Sequence, residues 1–331
     1  GKVNAPAVHL GGWYDIFGQG TIDSFVGYQT KGGKGARGKQ VLIMGPWTHG
    51  VLQKRAGELA FPNADKPINQ VADTWQWFDY HLKGVQNGFA KMPAVTYYVM
   101  GDTNDPTAPG NVWRTADTWP PIPTTSTPLY LTPKKSLSFT QSAKGSLSYR
   151  YDPANPTPTL GGAQLTLPFG ALEQSAVENR SDVLVFTTDT LTQPLEVTGR
   201  IKATLWVSSD APDTDFTVKL CDVYPNGKSY NISEGLLRAR FRKGFDREVR
   251  LKVGEVVPVE IDLWSTSIIF NKGHRLRVQV ASSSFPGYDP NPNTGAGFRA
   301  GTEKRIANNT LYFGEKHPSH ILLPVATERL P

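Results

Sequence analysis

The chain has 331 residues, enough for two domains that each bury a core, and no apolar run approaches the roughly 20 residues that a membrane-spanning helix needs. Gly (32) and Pro (26) are abundant beside moderate charge, which favours a loop-rich β protein, and the single cysteine, Cys221, excludes an internal disulfide framework and argues against a thiolate zinc site. The densest basic stretch behind the net charge of +6 is Lys31, Lys34, Arg37 and Lys39, set among glycines without interleaved aromatics, so a solvated loop is expected and neither nucleic acid nor membrane is expected as a partner.

Ala5 to Leu10 is a short apolar run that reads as a buried strand, with a tight Gly11-Gly12 turn expected after it and a helical pattern from Gly18 to Tyr28. Gln40-Val41-Leu42-Ile43-Met44 is a second continuous apolar strand, ending at Gly45-Pro46. Strands without alternation suit a parallel sheet covered on both faces. Asp65 to Leu82 reads as a helix with Val71, Trp75, Phe78 and Leu82 on one face, Asp65 as cap, Pro67 near the first turn and Gly84 as stop. Residues 1–90 therefore read as the tail of an α/β domain.

From Pro93 the pattern changes to short strands of period 2. Ile201, Ala203, Leu205 and Val207 alternate with less apolar neighbours, as do Phe216, Val218 and Leu220; Val257 to Leu263 and Leu276 to Val280 follow the same rule. Pro225-Asn226-Gly227 and Asn271-Lys272-Gly273 read as hairpin turns. Residues 91–331 are expected to form a β-sandwich of jelly-roll type, with the Pro-rich stretch 105–165 wandering over its surface. The fold class is thus α/β plus all-β.

Two strand ends deliver an acid and a base: Gly11-Gly12-Trp13-Tyr14-Asp15-Ile16-Phe17 and Gly45-Pro46-Trp47-Thr48-His49-Gly50. Their 34-residue separation leaves room for one helix and one strand. That order matches the last two members of an α/β-hydrolase triad, nucleophile then Asp then His. An ordinary helix-capping Asp followed by a loop His fits the spacing as well. No Gly-x-Ser-x-Gly elbow occurs anywhere, so a serine is expected to come from a missing N-terminal part or another chain.

Gly12-Trp13-Tyr14-Asp15-x-Phe17 and Gly45-Pro46-Trp47-Thr48-His49 resemble the serine hydrolases of the cocaine esterase and X-prolyl dipeptidyl-peptidase family, CocE/NonD. The similarity continues in order through Trp77-Phe78-Asp79-Tyr80-x-Leu82-Lys83-Gly84, Trp113-Arg114-Thr115-Ala116, Pro158-Thr159-Leu160-Gly161-Gly162 and Ser208 to Phe216. The resemblance implies the C-terminal part of an α/β-hydrolase domain over residues 1–90. It further implies a jelly-roll sandwich, similar to the family's C-terminal and galactose-binding-like domains, over residues 91–331. It assigns Asp15 as triad acid and His49 as triad base. The serine, its oxyanion-hole amide and a Tyr donor fall in the absent N-terminal part, whose fragment is the expected partner. Members that hydrolyse α-amino acid esters carry acidic residues two and three positions after the triad Asp; Phe17 and Gly18 stand there instead. The Trp-Tyr-Asp-x-Phe form looks more like the esterase and glutaryl-cephalosporin acylase members, with Phe17 lining an apolar acyl pocket and Trp13 and Tyr14 beside it as substrate contacts.

The expected substrate is a small-molecule ester or amide, with no cofactor and no metal, and there is room for a homo-oligomer. Two alternatives stand beside this reading: a non-catalytic carbohydrate-binding or interaction module, and an X-prolyl dipeptidyl-peptidase. His9 reads as a core histidine, and His317 and His320 as surface residues. Asn179-Arg180-Ser181, Asn231-Ile232-Ser233 and Asn308-Asn309-Thr310 match glycosylation acceptors, a common chance pattern. Ala163 to Phe169 is expected to approach the site from the sandwich.

Overall fold

Two apolar runs set the first sheet. Ala7–Tyr14 (β1) and Gln40–Thr48 (β2) lie side by side in parallel, with Ala7 opposite Gln40 and Tyr14 opposite Thr48. Gly11 and Gly12 are not a turn. They lie inside β1 opposite Met44 and Gly45, where a Cβ on Gly12 would overlap the backbone of Trp47. Glycine here serves close backbone approach, which the sequence cannot distinguish from a turn signal. The computed structural model describes residues 1–50, 52–66, 74–87, 89, 92–297 and 301–328.

Helix α1 (Gly18–Lys31) connects the two strands and buries Ile22 and Phe25. The two-residue strands β3 (Arg55–Ala56) and β4 (Leu59–Ala60) and helix α2 (Thr74–Lys83) follow. Val95–Val99 (β5) then adds to β2 in parallel, and Val112–Ala116 (β6) pairs antiparallel with β5. The sheet order is β1-β2-β5-β6, so the first sheet takes in two strands that lie beyond residue 90.

Helix α2 faces the sheet through Trp77, which packs with Val41, Ile43 and Trp47. Trp75, Phe78 and Leu82, expected on the buried face, are exposed, Trp75 by 81%. Val71 and Pro67 lie outside the described residues, and Asp65 sits in a turn, 3.1 Å from the Lys54 ammonium. Trp13 and Trp47 are both buried.

The rest of the chain is β. Thr124–Leu131 (β7), Leu137–Ser138 (β8) and Gly145–Tyr151 (β9) form within the stretch expected to wander over the surface. Leu184–Thr187 (β10), Leu195–Ser209 (β11), Asp215–Val223 (β12) and Ser229–Arg238 (β13) follow. Val257–Phe270 (β14), Arg275–Ala281 (β15), Ala307–Phe313 (β16) and His320–Ala326 (β17) complete them. One sheet has the order β8-β7-β17-β11-β16-β9, with β14 also pairing β11; the other has the order β10-β15-β12-β13. The alternating residues of β11, β12, β14 and β15 are buried, as their period demands. Pro225-Asn226-Gly227 joins β12 to β13 as a hairpin, but Asn271-Lys272-Gly273 carries the chain from one sheet to the other. A single apolar cluster runs from Trp13, Phe25 and Tyr98 to Leu205, Val259 and Leu323, so both units share one core.

Candidate active site

β1 and β2 end level with each other, and the residues that follow, Asp15 and His49, emerge side by side at the C-terminal edge of the sheet. His49 Nδ1 lies 3.1 Å from Asp15 Oδ1. Asp15 is buried, while the His49 side chain is 52% exposed. The turn into α1 fixes the carboxylate: the Asp15 N–H donates to the Gly12 carbonyl at 3.1 Å, and the Phe17 N–H donates to Asp15 Oδ1 at 2.9 Å. An ionised carboxylate only accepts, so neutral His49 facing it carries its proton on Nδ1 and a lone pair on Nε2. Nε2 has no hydrogen-bond partner among the described residues. The arrangement can take a proton from a hydroxyl brought to Nε2.

Phe17 is 55% exposed and meets the His49 ring edge-on, with centroids 5.3 Å apart. It is therefore not a core residue. Trp13 and Tyr14 are placed differently from the expectation that they contact substrate. Both are buried and spend their polar atoms on the fold: Trp13 Nε1 donates to the Tyr98 carbonyl at 2.8 Å, and the Tyr14 hydroxyl donates to the Asn231 carbonyl at 3.2 Å. Burial, with Tyr224 and Asp222 nearby, pushes the Tyr14 phenol far above its ordinary pKa. These two side chains do border a cavity with Ala163, Ser233 and Trp264, but at about 40 Å³ it holds a few waters at most.

Ala163 to Phe169, the segment expected to approach from the sandwich, forms a loop closed at its base, and Ala171 beyond it makes the contact. Gly162 and Gly170 bond each other's backbones at 2.8 and 2.9 Å, leaving Leu165 and Phe169 exposed. Ala171 then accepts from the Glu58 N–H at 2.8 Å and donates to the Ala56 carbonyl at 3.2 Å, in the segment that follows His49. His9 bonds Gln40 at 3.0 Å, and burial lowers its pKa. His317 packs on Trp206 and Tyr312, and His320 Nδ1 donates to the Pro318 carbonyl at 2.6 Å. Among the described residues no group of three or more His, Cys, Asp and Glu is placed to hold a metal ion.

Sequence reasoning passed over two residues. Asn231 stood out only as a glycosylation pattern, yet it is buried with both polar atoms of its side chain hydrogen-bonded. His274 carried no signal, yet it is wholly buried between two carboxylates, with Nδ1 2.9 Å from Asp222 and Nε2 3.1 Å from Asp102.

Residues 87–322 match the family model described as the X-Pro dipeptidyl-peptidase C-terminal non-catalytic domain; Asp15 and His49 precede that match. The chain is 39% identical to the cocaine esterase of Rhodococcus sp. (strain MB1 Bresler), over 98% of this chain and 57% of that protein. It superposes with a TM-score of 0.83 on an aminopeptidase from the marine sediment archaeon Thaumarchaeota archaeon, at 26% identity over 97% of this chain and 55% of the other. It superposes with a TM-score of 0.82 on an α-amino acid ester hydrolase, at 28% identity over 97% and 55%. The chain thus spans little more than half the length of these proteins. It belongs to the CocE/NonD family of hydrolases and carries that family's X-Pro dipeptidyl-peptidase C-terminal domain.

Proposed function

We propose that this chain is the C-terminal portion of a serine hydrolase that cleaves ester or amide bonds. Residues 1–90 form the end of an α/β-hydrolase domain, and a jelly-roll sandwich follows over residues 91–331. Asp15 is the triad acid and His49 the triad base, with the serine supplied by polypeptide outside this sequence. The observation that carries the reading is the 3.1 Å contact between His49 Nδ1 and buried Asp15 at level ends of adjacent parallel strands. In the completed hydrolase the serine attacks the carbonyl and His49 Nε2 takes its proton, then returns it to the leaving group. Asp15 holds the imidazole in the working tautomer and stabilises the imidazolium.

Phe17, beside His49, supports an uncharged acyl group over an α-ammonium one, because no carboxylate stands at positions 17 or 18. A non-catalytic binding module is the second reading, favoured by the description of the domain matched over residues 87–322.

One experiment separates the readings. The chain alone should neither turn over p-nitrophenyl esters nor label with a fluorophosphonate. Addition of a nucleophile-bearing polypeptide should produce both, and His49→Ala should remove the turnover. Labelling of the isolated chain, or full turnover in the His49→Ala complex, overturns the proposal. Chromogenic Xaa-Pro substrates test for dipeptidyl-peptidase specificity in the same complex.

A further inference from the structure

One sandwich residue touches both shoulders of the Asp15–His49 pair. Asn231 lies on β13, the edge strand of the four-stranded sheet. A one-residue bulge interrupts the ladder there: Cys221 faces Asn231 and Leu220 faces Ser233, leaving Ile232 unopposed. Bulges re-aim the groups beside them. The Asn231 backbone carbonyl accepts from the Tyr14 hydroxyl, and Tyr14 is covalently joined to Asp15. The Asn231 side chain holds the other shoulder. Its Nδ2 donates to the Gly170 carbonyl at 3.0 Å; its Oδ1 accepts from the Leu172 N–H at 2.8 Å and from Gln174 Nε2 at 3.1 Å. Ala171, gripped between those two bonds, pairs with Ala56 and Glu58. That places Asn231 two contacts from the chain that leaves His49. Gly170 fits this clasp because its φ is +82° and a Cβ there would overlap Gly57.

Every polar atom of the Asn231 amide is thereby used inside the protein. The side chain is 2% exposed, which removes Asn231-Ile232-Ser233 from consideration as a glycosylation acceptor. A buried amide held by three hydrogen bonds is rigid, and losing it leaves unpaired polar groups on its partners.

We propose that Asn231 is a positioning residue for the Asp15–His49 pair. Through Tyr14 on one side and the 170–172 loop on the other, it fixes how far apart the two strand-end loops stand. The sandwich then takes part in catalysis without touching substrate. This inference rests on the reading of Asp15 and His49 as triad members.

The test uses two variants, Tyr14→Phe and Asn231→Ala, in the full chain and in the complex with the nucleophile-bearing polypeptide. Long-range proton–nitrogen NMR on the full chain reports which nitrogen of His49 carries the proton. The wild type should show the Nδ1–H tautomer, and both variants should show a mixture. In the complex, kcat should fall about 10- to 100-fold with KM changed less than about twofold, as expected for a displacement near 1 Å. Asn231→Asp keeps the two accepted bonds and loses the donated one, so it should fall between wild type and Asn231→Ala. Ile321→Ala, a core truncation elsewhere in the sandwich, controls for stability alone: it should lower the melting temperature and leave the His49 tautomer unchanged.

If Tyr14→Phe and Asn231→Ala behave like Ile321→Ala, the positioning role is wrong while the triad reading stands. If His49→Ala leaves turnover intact in the complex, the triad reading itself has failed. Should Asn231→Ala not fold, Tyr14→Phe, which removes a single hydroxyl, still decides the matter.

Discussion

A histidine beside a carboxylate has two neutral tautomers, and only one leaves Nε2 able to accept a proton. At position 49 the choice is made by Asp15, whose Oδ1 also accepts the Phe17 N–H and so cannot swing away without breaking a second bond. Asp15→Asn keeps the shape but lets the amide donate to Nδ1, which favours the Nε2–H form. NMR of the variant should find His49 in that other tautomer. Turnover in the completed hydrolase should fall on the order of 10⁴-fold, the loss known when the orienting carboxylate of a serine-protease triad is replaced in this way. At this scale the sequence located Asp15, His49 and Phe17 just past strand ends, because the strands before them are readable. It was silent on Asn231 and His274, whose partners stand at |i−j| = 217 (Tyr14) and 172 (Asp102). No local pattern encodes such pairings.

Among the elements, those with a clear apolar period were legible and those shaped by close approach were not. The alternation in β11, β12, β14 and β15 marks their buried faces because a half-buried strand has period 2. β1 was read too short since Gly11-Gly12 signals a turn, whereas the structure uses Gly12 to let β1 pass against Trp47. Gly12→Ala tests this. The added methyl has no space, so an overpacking cost of about 1–3 kcal/mol is expected. A denaturation melt of the chain should show that loss, while the Gly20→Ala variant, at an open position of α1, should not. In α2 the period located an apolar stripe but not its direction. Trp77 faces the sheet, and the Trp75, Phe78 and Leu82 stripe faces away from it.

Across the whole molecule the two units are held by more than their shared core. Asp102, just beyond β5, and Asp222, on β12, grip His274 from opposite sides, and Tyr224 packs on its ring at 4.5 Å. Burial alone would push the imidazole pKa down, but the bonds and charges of Asp222 and Asp102 outweigh it and hold the value above the ordinary one. A raised folded pKa means that the imidazolium's share of the bridge is present at pH below about 6.5, while the carboxylates stay ionised, and is lost as pH rises through the folded value. The melting temperature should therefore decline as pH rises above about 6.5, and His274→Gln should flatten that slope. A slope unchanged by His274→Gln would show that other groups set it.

β1 lies at the end of its sheet, and no strand among the described residues pairs with its outer side. Every second peptide group along it is thus committed to β2, and the alternate ones have no strand to pair with among the described residues. The first sheet is a template with one face of its ladder unwritten, and its direction and register are already fixed by β2. Any extended segment that settles there inherits an address, lying at a set height beside the strand that ends in Asp15. An unfilled edge of this kind also accepts the wrong tenant, which makes the concentration at which the chain is handled as consequential as its fold.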